Sequence, residues 1–334
     1  MNAATGGGLM KAVLCTEFIG PDGLVVGEVD APKVGPGQVR VAVHAATVTY
    51  MDTLIVSGLY QLKPPLPFVA GTDAAGEVIE IGEGVTHFKR GDRVATFNWT
   101  GAFAEEMVAA ENRTVRLPDG VDYHVGTTIL HNYITGLYSL QKRAALQSGE
   151  TLVVHGAAGG VGLAAVDLGR HMGARVIGSV GSKEKVDLVR QYGAEAVIDY
   201  SKESVKDRVR ELTGGLGADV IFDTVGGDVF DQSLRCINWG GRLLVIGFTS
   251  GRIPQAPANL PLLKNCSIVG VFTGAWADRF PEEHRAVSDT VMDWVAKSHL
   301  KPLVSRVMPL EQVGAAMRAI ANREVTGRIV LNVR

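Results

Sequence analysis

The glycines at 156, 159, 160 and 162 lie in the segment TLVVHGAAGGVG (151–162), whose residue types and spacing suit the cradling of a dinucleotide pyrophosphate. Thr151 to Val154 form a short apolar run that reads as a buried parallel strand. A helical pattern opens beyond the glycines with Val161, Leu163, Ala164, Ala165, Val166 and Leu168. Strand, glycine turn and helix in that order are the context such a phosphate site needs. Gly156 takes the sharp turn, Gly159 lacks the β-carbon that would hold a pyrophosphate away, and Gly162 lets helix and strand approach closely. The helix N-terminus then directs free N–H groups at the anion, which makes Ala158, Gly159, Gly160 and Val161 the candidate contacts. The competing reading is a glycine-rich turn without a ligand, and the surrounding pattern weighs against it.

The next strand tells which dinucleotide to expect. Ala174 to Val180 read as that strand, at whose end an NAD enzyme usually places an acid for the adenine ribose hydroxyls. Here the chain continues Gly181-Ser182-Lys183-Glu184-Lys185, small, hydroxylic and basic. A 2′-phosphate takes hydroxyl and ammonium donors and is repelled by carboxylate, so this end favours NADP(H). Glu184 dissents, and is expected in the first turn of the following helix, facing solvent. Tyr200, after the third strand, is placed to lay its ring or hydroxyl beside the same phosphate. For Lys183 and Lys185 the alternative is a solvated helix start.

The elements that must position these groups fill a chain of 334 residues, long enough for two domains. Hydrophobic residues are 46% and charged residues 20%, a balance that suits a globular chain with a substantial core. A formal net charge of −2 gives no reason to expect nucleic acid or an anionic membrane as partner. Cys15, Cys236 and Cys266 are scattered and odd in number, which argues for a reducing compartment, and a cytoplasmic location is expected. No apolar run reaches 18 residues, so no membrane span is expected. The opening MNAATGGGLM lacks the features of a signal peptide and reads as a floppy tail.

Three sections follow along the chain. Residues 11–125 are short, alternating and turn-rich (KAVLCTEF, LVVGEVDAP, QVRVAVHAA, GEVIEIG, DRVATF), which predicts a β-barrel-like domain. Residues 126–272 alternate strands and helices, with strands expected at 151–155, 174–180, 195–199, 218–223, 241–247 and 266–272. That is an α/β, doubly wound, six-stranded parallel sheet. Residues 273–334 hold a helix at about 282–298, the strand VSRVMPL, a helix from Leu310 to Asn322 and the strand GRIVLNV, and are expected to return to the first domain.

Several motifs in the right order carry a resemblance over nearly the whole chain: GAAGGVG (156–162), FVAGTDAAGEV (68–78), FKRGDRV (88–94), DTLIVSGLY (52–60), GETLVVHG (149–156) and GRIPQAPANLPLLKNCSIVG (251–270). The sequence resembles the medium-chain dehydrogenase/reductases, and within them the zinc-free quinone oxidoreductases related to ζ-crystallin. The resemblance implies a GroES-like catalytic domain built from both chain ends around a central Rossmann domain. It also implies a homodimer formed by pairing of the last Rossmann strand. A catalytic zinc in this superfamily would need a Cys near position 50, a His-Glu pair after the first conserved glycine, and a later Cys. Here those regions read Thr47-Val48-Thr49-Tyr50-Met51-Asp52 and Gly71-Thr72-Asp73, so no metal is expected.

Without a metal, the chemistry implied is hydride transfer to an activated acceptor, a quinone or an α,β-unsaturated carbonyl compound. Thr49, Tyr50, Asp52 and Tyr60 occupy the family's substrate-facing stretch, where many relatives have Asn-Phe in place of Thr49-Tyr50. Tyr60 is either a phenolic donor or a packed loop anchor, and Asp52 is expected to orient backbone more than to transfer a proton. The proton can equally come from water. Thr135, at the family's domain junction, is a nicotinamide-side candidate or a helix-packing residue. Backbone groups of Gly247-Phe248-Thr249 and Val271-Phe272-Thr273 are expected to meet the carboxamide. Asn132, Asn98 and Trp99 are further candidates to border the cleft, whereas Arg323 and Arg328, near the last strand, either reach a phosphate or substrate acid or, the favoured reading, lie at the surface. Two other readings stay open: an enoyl-thioester reductase of the same superfamily, and a non-catalytic NADPH-binding protein.

Overall fold

The computed structural model describes residues 8–334; residues 1–7 of the expected N-terminal tail lie outside the described residues, whereas Leu9 and Met10, read as part of that tail, open the first strand and Met10 is buried. The chain divides into two compact units. One comprises residues up to Leu130 together with Pro281–Ala296 and Pro302–Arg334; the other comprises His131–Phe280 and Lys297–Lys301.

The first unit is built of short strands, β1 (Leu9–Cys15), β2 (Leu24–Asp30), β3 (Gln38–Val48), β4 (Phe68–Val69), β5 (Asp73–Ile81), β6 (Arg93–Phe97), β7 (Glu106–Ala110) and β8 (Thr114–Arg116). Val39, Val41 and Val43 of β3 are buried while Gln38, Arg40 and His44 between and beyond them are half-buried, the alternation expected of a strand with one core face. β3 is long enough to carry two neighbours along one edge. Residues Gln38–Ala42 pair with β7, and Ala45–Val48 pair with a strand from the far end of the chain. A short helix, Tyr50–Val56, follows β3.

The second unit contains β9 (Thr151–His155), β10 (Arg175–Val180), β11 (Ala196–Asp199), β12 (Ala218–Asp223), β13 (Ile237–Val245) and β14 (Ser267–Gly270), in spatial order β11-β10-β9-β12-β13-β14 and all parallel. β9 is buried at every position, as a central strand covered on both faces should be. Ile177, Val153, Ile221 and Leu243 stand opposite one another across four strands and form one apolar row through the core. This is the doubly wound arrangement anticipated from the sequence. The fifth strand departs from its expected span of 241–247. It starts at Ile237, through an irregularity that sets four residues, Asn238 to Gly241, against one of β12, and it ends at Val245. The expected start at Gly241 therefore falls inside the strand, where Gly240 and Gly241 belong to a bulge.

The return segment brings the helix Pro281–Ala296, β15 (Val304–Pro309), the helix Val313–Ala321 and β16 (Arg328–Asn332) to the first unit. The last helix is shorter than expected because Leu310–Gln312 form a separate tight turn before it. β16 pairs with β3, completing a seven-stranded sheet ordered β15-β16-β3-β5-β6-β8 with β7 on β3.

Candidate active site

In the second unit, β9 runs into Gly156, whose φ of +64° lies in the left-handed region that glycine adopts without cost. The turn is fixed by the Ala157 N–H donating to the Ser179 carbonyl of β10 at 3.0 Å. The helix Gly160–His171 begins at once, and a β-carbon on Gly162 would stand 2.2 Å from the Gly156 carbonyl oxygen. Only glycine permits that approach. Gly159, the helix N-cap, offers no side-chain cap, so backbone N–H groups at the start of a 12-residue helix remain for an external anion. Ala158 is buried; Gly159, Gly160 and Val161 are half-buried.

Residues beyond β10 assemble a second patch. A β-carbon on Gly181 would lie 2.9 Å from the Tyr200 hydroxyl, so the tyrosine ring sits directly on Gly181. The Tyr200 N–H donates to the Val180 carbonyl at 3.0 Å and anchors that placement. Ser182 precedes the turn Lys183–Lys185; Lys183 is exposed and Lys185 half-buried. Glu184 is exposed as expected, and its carboxyl is held below the usual range by bonds to its own backbone and the Ser182 hydroxyl, helped by Lys202. Lys202 was missed in the sequence because it stands in the loop after β11, apart from the basic run.

Thr135 is half-buried, its carbonyl accepting from the Ser139 hydroxyl at 2.6 Å. It stands in a single helical turn, Thr135–Leu137, flanked by wider π-helical stretches at Leu130–Ile134 and Tyr138–Arg143. Such widened turns recur at functional sites because they re-aim side chains. Asn132 is buried nearby in sequence. After β13, Thr249 N–H donates to the Thr224 carbonyl at 3.1 Å and Ser250 N–H to the Val225 carbonyl at 2.9 Å. The loops after β12 and β13 are thereby zipped together, with Gly247 and Phe248 half-buried. Phe272 is exposed and caps the helix Thr273–Arg279, with Thr273 half-buried at its start.

Beneath the glycine turn lies His155, fully buried and missed in the sequence because it ends an apolar strand. Ser233 donates its hydroxyl proton to the Val229 carbonyl at 2.7 Å and so accepts from His155 Nε2 at 2.8 Å. Nδ1 then accepts from the Ser179 hydroxyl at 2.7 Å. The imidazole is neutral, and burial lowers its pKa.

The first unit holds the residues expected on the substrate side. Thr49 and Asp52 form a reciprocal cap on the helix Tyr50–Val56. Asp52 Oδ2 accepts from the Thr49 N–H at 2.7 Å and from its hydroxyl at 2.6 Å, while the Asp52 N–H donates to Thr49 Oγ1 at 3.1 Å. Both side chains are buried and committed to one another, which fits the orienting role expected of Asp52. Tyr50 is the first residue of the helix and is half-buried. Tyr60 is half-buried, its ring 6.1 Å from Trp99, which meets Phe97 edge-on at 5.1 Å. Burial raises the Tyr60 pKa, so the phenol keeps its proton at neutral pH. Asn98 accepts from the Trp99 N–H at 2.9 Å and donates to the Val108 carbonyl at 3.1 Å, holding the loop under that aromatic group.

Arg328 corrects an expectation. It is not at the surface but 7% exposed, within electrostatic reach of two buried carboxylates, Asp52 and Asp73. Desolvation lowers its pKa to about 10, so it stays charged at neutral pH. Arg323 is exposed, as expected. The Thr72 hydroxyl lies 3.0 Å from Asp52 Oδ1 and 2.8 Å from Asp73 Oδ2. Burial pushes Asp52 up to about 6; burial and then Asp52 push Asp73 up to about 7. A zinc ion does not fit the donors present: Thr49, Thr72 and Asp73 offer hydroxyls and one carboxylate where thiolate and imidazole would be needed. Among the described residues no group of three or more His, Cys, Asp or Glu is placed to hold a metal.

Comparison with known proteins agrees with this architecture. Residues 35–119 match the alcohol dehydrogenase GroES-like domain family, and residues 160–289 match the zinc-binding dehydrogenase family. A quinone oxidoreductase-like protein 2 homolog of Nematostella vectensis is 41% identical over 99% of this chain and 91% of its own length. A quinone oxidoreductase of Pseudomonas aeruginosa is 36% identical over 97% of this chain and 99% of its own. The Escherichia coli quinone oxidoreductase complexed with NADPH superposes with a TM-score of 0.91 at 28% identity, covering 96% of this chain and 99% of that one. A mycobacterial protein complexed with NADPH gives 0.91 at 31% identity, covering 97% of this chain and 99% of that one. The fold and the glycine cradle thus define a medium-chain dehydrogenase/reductase. Within that superfamily the chain belongs to the quinone-oxidoreductase branch.

Proposed function

We propose that the protein is an NADPH-dependent reductase of quinones or α,β-unsaturated carbonyl compounds that works without a metal. The observation carrying this reading is the Gly156–Gly162 cradle at an uncapped helix N-terminus, with the Gly181–Tyr200 patch beyond it. When bound, NADPH supplies the hydride. Ala158, Gly160 and Val161 hold the pyrophosphate through backbone N–H groups, Gly159 leaves the backbone open to it while its own N–H donates to the Gly156 carbonyl at 3.0 Å, and Ser182, Lys183, Lys185 and Tyr200 hold the 2′-phosphate. Thr135, Gly247, Phe248, Phe272 and Thr273 set the nicotinamide side.

On the acceptor side, the Tyr60 phenol donates a hydrogen bond to the oxygen on which negative charge develops, and Tyr50 lines the same region. Thr49 and Asp52 act one step back, fixing the helix that presents Tyr50. A conjugated acceptor spreads its own developing charge, so phenolic donors replace the Lewis acid that the hydroxyl-rich donor set does not hold. Purified, chelator-treated protein is expected to oxidise NADPH with quinones or enones. Turnover confined to enoyl-CoA thioesters would move the assignment to thioester reduction. NADPH binding without turnover on any acceptor would favour a binding protein.

The edge position of β14 supports a homodimer formed through that strand. Ile268 is 37% exposed on it, and Leu262 and Leu263 beside it are 79% and 66% exposed. Its three buried free thiols suit a reducing compartment, and we place the protein in the cytoplasm.

A further inference from the structure

Thr72 has one hydroxyl proton and two carboxylate oxygens within hydrogen-bond distance, Asp52 Oδ1 at 3.0 Å and Asp73 Oδ2 at 2.8 Å. One proton cannot satisfy both contacts, and two anions facing one oxygen without a second proton repel each other. Asp52 already accepts two bonds from Thr49, which favours its ionised form. All four residues are buried, and the charged groups acting on Asp73 are Asp52 and Arg328. We infer that Asp52 and Asp73 share a single proton, carried by Asp73, which donates to Thr72 while Thr72 donates to an ionised Asp52. Arg328 balances the one remaining negative charge, so the buried cluster is electrically neutral.

The arrangement makes Asp73 a positioning residue. Its proton orients Thr72, Thr72 steadies Asp52, and Asp52 caps the helix that starts at Tyr50. Losing the proton leaves two buried carboxylates against one guanidinium and loosens the cap. The effect on turnover rests on the reductase reading above, whereas the proton count stands on the geometry alone.

Asp73 keeps its proton in the fold to higher pH than the unfolded chain does. Between the ordinary carboxylate range and about 7, the folded state therefore binds more protons, and stability falls as pH rises through that window. Asp73→Asn places a permanent neutral donor at the same position. Above about pH 6, where the raised carboxyl of Asp52 is already ionised, its thermal midpoint is expected to lose this decline while the wild-type midpoint shows it. NADPH oxidation by the wild type should fall above about pH 7 and be flattened in Asp73→Asn, whereas Asp73→Asn and wild type should agree near pH 6. Infrared difference spectra of wild-type protein with ¹³C-labelled aspartate, taken between about pH 6 and 9, should show one buried carboxylic acid losing its proton. That measurement stands even if the variant does not fold. Absence of a titrating buried acid in the wild type, or parallel midpoint curves for the two proteins, overturns the inference. A titrating acid with unaltered turnover profiles would keep the shared proton and remove its influence on the reaction.

Discussion

Tyr200 closes over Gly181 so tightly that a β-carbon on the glycine would stand 2.9 Å from the tyrosine hydroxyl and 3.1 Å from Cζ. The contact joins the ends of β10 and β11, the place where the adenine ribose of a dinucleotide sits in doubly wound folds. Gly181→Val must therefore displace the ring. Its expected consequence is weaker NADPH binding, about tenfold or about 1.4 kcal/mol, with the far-UV spectrum unchanged. Titration of NADPH fluorescence checks this, and unchanged affinity would separate Tyr200 from the cofactor.

Lys183→Glu and Lys185→Glu should each raise KM for NADPH at least tenfold and leave KM for NADH within about twofold. A 2′-phosphate loses a charge-assisted bond worth about 1.5–3 kcal/mol, whereas the ribose hydroxyl of NADH does not. Equal effects on the two cofactors would remove both lysines from the phosphate site.

His155 gives the second unit a dependence on acid. Burial lowers its pKa, so the folded state binds fewer protons than the unfolded chain below about 6.5. The stability contributed by the neutral imidazole is fully present above that value and is lost as pH falls. His155→Asn should be destabilised at pH 7, and its deficit relative to wild type should narrow towards pH 5. Urea denaturation at both pH values measures it, and a constant deficit would show that folding does not lower the imidazole pKa.

Ile268→Glu places a charge on the exposed face of β14. If two copies meet along this edge, the variant should elute as a monomer while the wild type elutes as a dimer, with the Rossmann unit still folded. Light scattering after gel filtration decides, and an unaltered mass would move the interface elsewhere.

Legibility in the sequence followed the range of the interactions. The glycine cradle was readable because Gly156, Gly159 and Gly162 act on atoms a few residues away. β9 was readable because burial on both faces leaves an unbroken apolar run. β13 was misjudged where a bulge holds Gly240 and Gly241 inside the strand. Arg328 was misplaced because its partners, Asp52 and Asp73, come from the other end of the chain and meet it only once β16 pairs with β3. His155 carried no signal, since a histidine closing an apolar strand looks the same whether it meets two serines or solvent. Thr49 and Asp52 were expected on the substrate side, and their reciprocal cap went unread although a threonine three residues ahead of an aspartate is a cap signal.

The most direct test of the account is steady-state oxidation of NADPH by chelator-treated protein, with 1,2- and 1,4-quinones, enones, alkenals and enoyl-CoA thioesters in parallel and NADH as the control. Metal-independent turnover with quinones or enones is expected, faster with NADPH than with NADH. Activity that vanishes with the chelator and returns with zinc would contradict it.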